Sequence, residues 1–261
     1  MGSASRQALA SSVSALADAR LDLTGGVQLL AAARTVGGSA QLRGLLADPG
    51  IEAAAKRGLV SKLFVGFGAP VQGVVASASA ERWSSGDEFA DGLEELGFRA
   101  IAAGGPSGSA LGHELFTFEQ AVRSNAELEL ALSSKLGGGE AKVALVDRIL
   151  AGAGEATRAI VRHLVQFPRE LRFVEALRRA ARIVADASGL GIATVATASP
   201  LSDAQLARLE KALGDRYGRA LSLNQVIDPS LIGGVRISVG DDVIDGSVAA
   251  RLNDLRLQLA G

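Results

Sequence analysis

An internal repeat constrains the fold of this chain more than any other feature. Residues 36–64, VGGSAQLRGLLADPGIEAAAKRGLVSKLF, lie without a gap on residues 122–150, VRSNAELELALSSKLGGGEAKVALVDRIL, 86 positions further on. Leu42, Leu46, Lys56, Leu59, Val60 and Leu63 fall on Leu128, Leu132, Lys142, Leu145, Val146 and Ile149, so an apolar face and one basic position recur together. The turn recurs too, with Asp48-Pro49-Gly50 opposite Ser134-Lys135-Leu136 and Gly137-Gly138 just beyond. Apolar residues at three- and four-residue spacing mark amphipathic helices, so the repeat predicts a duplicated helical bundle. Val74-Val75 then meets Ile160-Val161, and after a slip of two residues Phe89 and Leu93 meet Phe173 and Leu177.

The remaining helical segments fit around this repeat. Arg6 to Ala19 carries Leu9, Val13 and Leu16 at helical spacing, Val27 to Val36 centres on Leu30, and Glu52 to Phe64 resumes after the Asp48-Pro49-Gly50 turn. The helix around Asp87 to Ala103 is able to close the first copy or open the second, since Phe89, Leu93 and Leu96 suit either role. Gly104-Gly105-Pro106-Ser107-Gly108 reads as the joint between copies, and Arg169 to Ala187 as one long helix. Aromatics are only 4% of the chain, and Ala and Leu dominate, which favours close-packed helices over a β-sandwich.

At Gly189-Leu190-Gly191 the period changes. Ile192 to Ala198 and Ala220 to Ile227 read as strands, separated by a helix that opens on a Ser202/Gln205 capping box and ends at Gly214. Val235, Ile237 and Val239 alternate with Arg236 and Ser238, the pattern of a strand with one buried face. Gly240-Asp241-Asp242 forms a turn from which Val243-Ile244 pairs back, and Asp245 or Ser247 caps a last helix through Val248, Leu252, Leu255 and Leu259. The expected fold class is mainly α, two tandem helical bundles followed by a small α/β C-terminal module, with boundaries 1–105, 106–188 and 189–261.

Little in the chain points to chemistry. Without cysteine there are neither disulfides nor thiolate metal sites, and the two histidines, His113 and His163, have no neighbours at zinc spacing. Gly137-Gly138-Gly139-Glu140-Ala141-Lys142 lacks the order of a phosphate loop, and Gly240-Asp241-Asp242 with Asp245 lacks that of a calcium loop. No catalytic, cofactor or metal residue is expected. A formal net charge of −1 argues against a general nucleic-acid binder. One alternative survives, a nucleic-acid-binding helical regulator that would use the arginines between Arg158 and Arg182. The apolar window from Leu63 to Ala80 is interrupted by Gly66, Gly68, Pro70 and Gly73, and the N-terminus has no signal-peptide core.

The C-terminal stretch resembles a known family. Asp228-Pro229, Ile232-Gly233-Gly234, the strand, Gly240, Asp245-Gly246-Ser247 and the leucine-spaced tail through Leu252 and Leu255 are similar to the signature of the delta subunit of F-type ATP synthases, the oligomycin-sensitivity-conferring protein family. The likeness is tight over this module, looser over the second helical copy, and reaches the first only through the second. The family's usual N-terminal domain is a single six-helix bundle, so an extra copy is a departure. The resemblance implies a non-catalytic stator protein at the cytoplasmic face of a bacterial cell membrane, peripheral and held there through its complex. Its implied partners are alpha subunits of the catalytic head and b-type stalk subunits, without nucleic acid or cofactor. Leu9, Val13, Leu16, Lys56 and Lys142 are the expected partner-binding positions: small residues around Leu9 and Val13 suit either a partner helix or internal packing, and the lysine is retained in both copies.

Overall fold

The computed structural model describes residues 1–105, 108–134, 138–169, 171–252 and 256. Its contacts divide the chain into two units, Met1–Ala187 and Ser188–Gly261.

The first unit is helical. It contains α1 (Ser3–Ala19), α2 (Leu23–Gly37), α3 (Ala40–Ala47), α4 (Ala53–Leu63), α5 (Ala69–Ala80) and α6 (Gly86–Gly104). These are followed by α7 (Gly108–Arg123), α8 (Ala126–Ser133), α9 (Gly139–Ile149), α10 (Glu155–Gln166) and α11 (Phe173–Ala187). The repeat is structural: α8, α9 and α10 begin and end 86 positions after α3, α4 and α5. Their starts agree because equivalent hydrogen bonds set them. Ser39 caps α3 by accepting from the Leu42 N–H at 3.3 Å, and Asn125 caps α8 by accepting from Leu128 N–H at 3.0 Å. Gln28 accepts from the Gly68 N–H ahead of α5 at 3.0 Å, and Glu114, its counterpart, accepts from the Gly154 N–H ahead of α10 at the same distance.

The role of α6 follows from its two apolar faces. Phe89, Leu93, Leu96 and Ala100 recur at helical spacing and join a core built with α1 to α5. Phe98, Ile101 and Ala102 point the other way, into a core built with α7 to α11 that also takes Leu30 of α2. Thus α6 belongs to both copies. The expected boundary at 105/106 falls in the connection after α6, yet residues on both sides form one compact unit because this helix is common to the two cores. The α2–α6 seam is close: a methyl at Gly26 would lie 2.8 Å from the Ile101 backbone nitrogen, and one at Gly104 would lie 2.6 Å from the Asp22 carbonyl carbon.

Two expectations are corrected in the helical unit. The buried face of α1 is Ser5, Ala8, Ser12 and Leu16, while Leu9 and Val13 sit partly buried beside it. Small residues let α1 approach its neighbours, and Ser12 is tolerated inside because its hydroxyl donates to the Ala8 carbonyl at 2.7 Å. The last helix starts at Phe173 rather than Arg169, since Arg169 turns back to pair with Asp91 and stacks its guanidinium over Phe167 at 5.6 Å. The Ser134-Lys135-Leu136 turn and Gly137 lie partly outside the described residues.

The second unit contains a four-stranded sheet. Strands β1 (Gly191–Thr197), β2 (Leu221–Ile227), β3 (Val235–Val239) and β4 (Asp242–Asp245) are ordered β2-β1-β3-β4. β1 pairs parallel with β2, Gly191 opposite Leu221, and antiparallel with β3, Val195 opposite Ile237. The crossover between β1 and β2 is α12 (Asp203–Tyr217), which opens on the expected Ser202/Gln205 capping box. It runs through Gly214, contrary to expectation, and stops at Gly218, whose φ of +67° permits the left-handed cap. Ala193, Val195, Leu213, Leu221, Ile237 and Val239 form the core of this unit.

Candidate docking surfaces

The signature residues of the C-terminal module are built around one tight crossing. Asp228 accepts from the Ser230 N–H and hydroxyl at 2.9 and 2.6 Å, turning the chain at Pro229 out of β2. Gly234 has a φ of +81°, and a side chain there would meet the Ser247 Cα at 2.8 Å. That space is taken because Gly246 donates to the Val235 carbonyl at 2.9 Å and Val248 to the Gly233 carbonyl at 3.0 Å. Gly240, with a φ of +60°, is the first residue of the β3–β4 turn, and Arg236 pairs across the hairpin with Asp245 at 3.1 Å.

Both candidate caps are used. Asp245 accepts from the Ser247 N–H at 2.9 Å, and the Ser247 hydroxyl accepts from the Ala250 N–H at 3.2 Å, opening the last helix. The hydrogen bonds from Ser247, with help from Arg236, hold the Asp245 carboxyl below its ordinary range. Ile232 is 80% exposed and Leu252 57% exposed, so these two apolar members of the signature stand outside the core of the module. Leu255 and Leu259 lie outside the described residues.

In the helical unit the expected positions separate into two kinds. Val13 and Leu16 line a groove of about 420 Å³ with Arg20, Leu21, Ala100 and Ala103, and Leu9 lies one turn ahead of Val13. Lys56 and Lys142 are corrected. Lys56 is 2% exposed and donates to the Ser79 carbonyl at 2.6 Å, and Lys142, also buried, donates to the Ser134 carbonyl. Burial holds the Lys56 ammonium below the usual lysine range, with Asp48 opposing that shift. Each lysine recurs because it ties down the interior of its own copy.

The arginine-rich stretch is largely neutralised from within. Arg158 pairs with Glu155, Arg162 with Asp147 and Glu155, Arg169 with Asp91, Arg178 with Glu119 and Arg179 with Glu94. The acids come from several helices, which hid this pairing from a reading of the local sequence. His113 is exposed, whereas His163 is buried between copies. Among the described residues there is no group of three or more His, Asp or Glu placed to hold a metal, and no helix long and apolar enough to cross a membrane.

Comparison with known proteins gives these surfaces a context. The profile of the ATP synthase delta (OSCP) subunit matches residues 101–259, from the end of α6 through the second copy and the C-terminal module. The ATP synthase subunit delta of Leifsonia xyli subsp. xyli (strain CTCB07) is 51% identical over 264 residues, covering 100% of both chains. That of Arthrobacter sp. (strain FB24) is 38% identical over 239 residues, 87% of each chain. That of Streptomyces coelicolor (strain ATCC BAA-471 / A3(2) / M145) is 35% identical over 273 residues, covering 100% of this chain and 98% of the relative. The profile spans the second copy and the module whose glycines make the tight crossing, and the Leifsonia relative extends the match across the first copy: the chain belongs to the ATP synthase delta (OSCP) subunit family.

Proposed function

We propose that this chain is a non-catalytic peripheral-stalk subunit of a proton-translocating F-type ATP synthase, joining the catalytic head to b-type stalk helices. The observation that carries this reading is the family match across both the helical part and the module. The head experiences torque from the rotor and turns with it unless a static connection opposes that torque. A connector needs two well-separated surfaces with slow release, not a reacting side chain. The helical unit holds N-terminal segments of alpha subunits, and the C-terminal module, with Ile232 and Leu252 exposed, holds the stalk ends. The protein sits at the cytoplasmic face of a bacterial membrane, peripherally, through its complex.

The open flank of α1 is the proposed head-binding surface. An amphipathic helix would lay its apolar stripe along Leu9, Val13 and Leu16, with Arg20 at the rim of the groove. α6, which takes the corresponding place in the second copy, packs against α2 and α11 and contributes Arg99, Ala100 and Ala103 to the lining of the same groove. Titration of the full chain with an alpha-subunit N-terminal peptide tests this assignment. Val13→Glu, which puts a charge into the groove, is expected to weaken binding by about tenfold or more, with the tryptophan emission of the free protein unchanged. Equal affinity for parent and variant would move the site elsewhere.

A further inference from the structure

His163 of α10 is 1% exposed, and its ring is packed edge-on against Phe98 of α6 at 5.7 Å and beside Phe167 at 6.0 Å. Charged groups from several elements converge on it. Arg34 Nη1 of α2 lies 3.0 Å from Nδ1, and Glu94 Oε1 of α6 lies 2.8 Å from Nε2. Arg179 of α11 donates to the second Glu94 oxygen at 2.8 Å, and Arg169, between α10 and α11, pairs with Asp91 one turn ahead of Glu94 on α6. Glu94 is 3% exposed. These polar bonds connect α2 of the first copy, the common helix α6, and α10 and α11 of the second.

The arginine determines which nitrogen carries the proton. A guanidinium offers only N–H donors, so Nδ1 has to accept from Arg34, and the ring proton is therefore on Nε2, donated to Glu94. His163 is a neutral imidazole bridging a cation and an anion. A second proton has only one place to go, onto Nδ1, where the Arg34 N–H already points.

We propose that the Arg34–His163–Glu94 bridge is an acid-sensitive latch between the two helical copies: when His163 takes a proton from solvent on Nδ1, the Arg34 hydrogen bond is lost and α2 is released from α10. Glu94 favours the protonated ring, but burial and the positive charges of Arg34 and Arg169 outweigh it, holding the imidazole below the ordinary histidine range. Burial pushes the Glu94 carboxyl up, while His163, Arg179 and Arg169 overcome this and leave it below the usual glutamate range, so it remains a carboxylate as the ring titrates. Because the folded-state value of His163 is depressed, its neutral form stabilises the closed state above the unfolded value of about 6.5. That contribution is lost as pH falls from there through the folded value, and opening grows by up to about tenfold per pH unit in that window.

The full chain provides a direct test because it has only two histidines. Imidazole nitrogen NMR, with His113→Gln for assignment, is expected to show the Nε2–H tautomer of His163 at neutral pH and a titration of His163 below the ordinary histidine value of about 6.5. Hydrogen exchange, corrected for intrinsic rates, is expected to show protection of α2 and α10 falling between about pH 7 and pH 5 while that of α4 holds. His163→Gln keeps an acceptor and a donor but takes no proton, so its protection should not change over this range. Arg34→Met, which breaks the tie at every pH, should likewise lack the acid step. An Nδ1–H tautomer, an imidazolium at neutral pH, or an acid step of undiminished size in either variant would overturn the proposal.

Discussion

Gly26 and Gly58 allow one substitution to be tested in two surroundings. Both lie within helices, so replacement by alanine contributes up to about 1 kcal/mol of helix propensity at either site. Gly58 on α4 has nothing within 4 Å of the new methyl, and Gly58→Ala is expected to stabilise the helical unit by about 0.5–1 kcal/mol. At Gly26 the methyl would stand 2.6 Å from Ile101 Cγ1 and 2.8 Å from the Ile101 backbone nitrogen. The side chain can rotate away; the backbone nitrogen moves only with α6. Gly97 and Gly104 on α6 are equally close to Leu30 and to the Asp22 backbone, so sliding the helices offers no relief. Overpacking of this kind costs about 1–3 kcal/mol, and after the propensity gain Gly26→Ala is expected to destabilise by roughly 1–2 kcal/mol. Urea unfolding followed through Trp83, the single tryptophan and a core residue of the first copy, reads both variants. The expected midpoints move in opposite directions. If both variants became more stable by similar amounts, the close α2–α6 approach would be refuted.

Two further perturbations separate structural from docking residues. Lys56→Ala removes the 2.6 Å bond to Ser79 and leaves a buried carbonyl beside a cavity, so the Trp83 transition should lose about 2–4 kcal/mol while alpha-peptide affinity in native buffer stays unchanged. Gly234→Ala forces a side chain to a φ of +81° against Ser247 and should destabilise the C-terminal module by at least about 2 kcal/mol. The single tyrosine, Tyr217 on α12, reports that loss, and the Trp83 transition of the other unit is the internal control.

Features governed by local chemistry were legible in the sequence. The apolar spacing within α3 to α5 and α8 to α10, the Ser202 capping box, the β3–β4 turn and the Ser247 cap all depend on residues within a few positions of one another. The two copies were visible as an apolar pattern, but what joins them was not, because Arg34, Glu94 and His163 are distant in sequence and only tertiary packing brings them together. The same limit misassigned Lys56 and Lys142: a repeated lysine looks like a repeated contact until its ammonium is found on a carbonyl inside the fold. Gly214 read as a helix stop because an interior glycine costs stability, yet the neighbouring turns hold the helix together until Gly218 provides a left-handed cap. On α1 the largest apolar residues drew attention to Leu9 and Val13, whereas close packing selected the smaller Ser5, Ala8 and Ser12 for the buried face.

The most direct measurement of the stator role is whether this chain bridges two assemblies that do not otherwise hold together. Purified catalytic head and a soluble b-type stalk fragment would be run in sedimentation velocity with and without the full chain. The expected result is one species containing head, stalk and this protein when all three are present, and separate head and stalk boundaries when it is omitted. Head and stalk co-sedimenting equally well without the chain, or the chain binding neither, would contradict a connecting role.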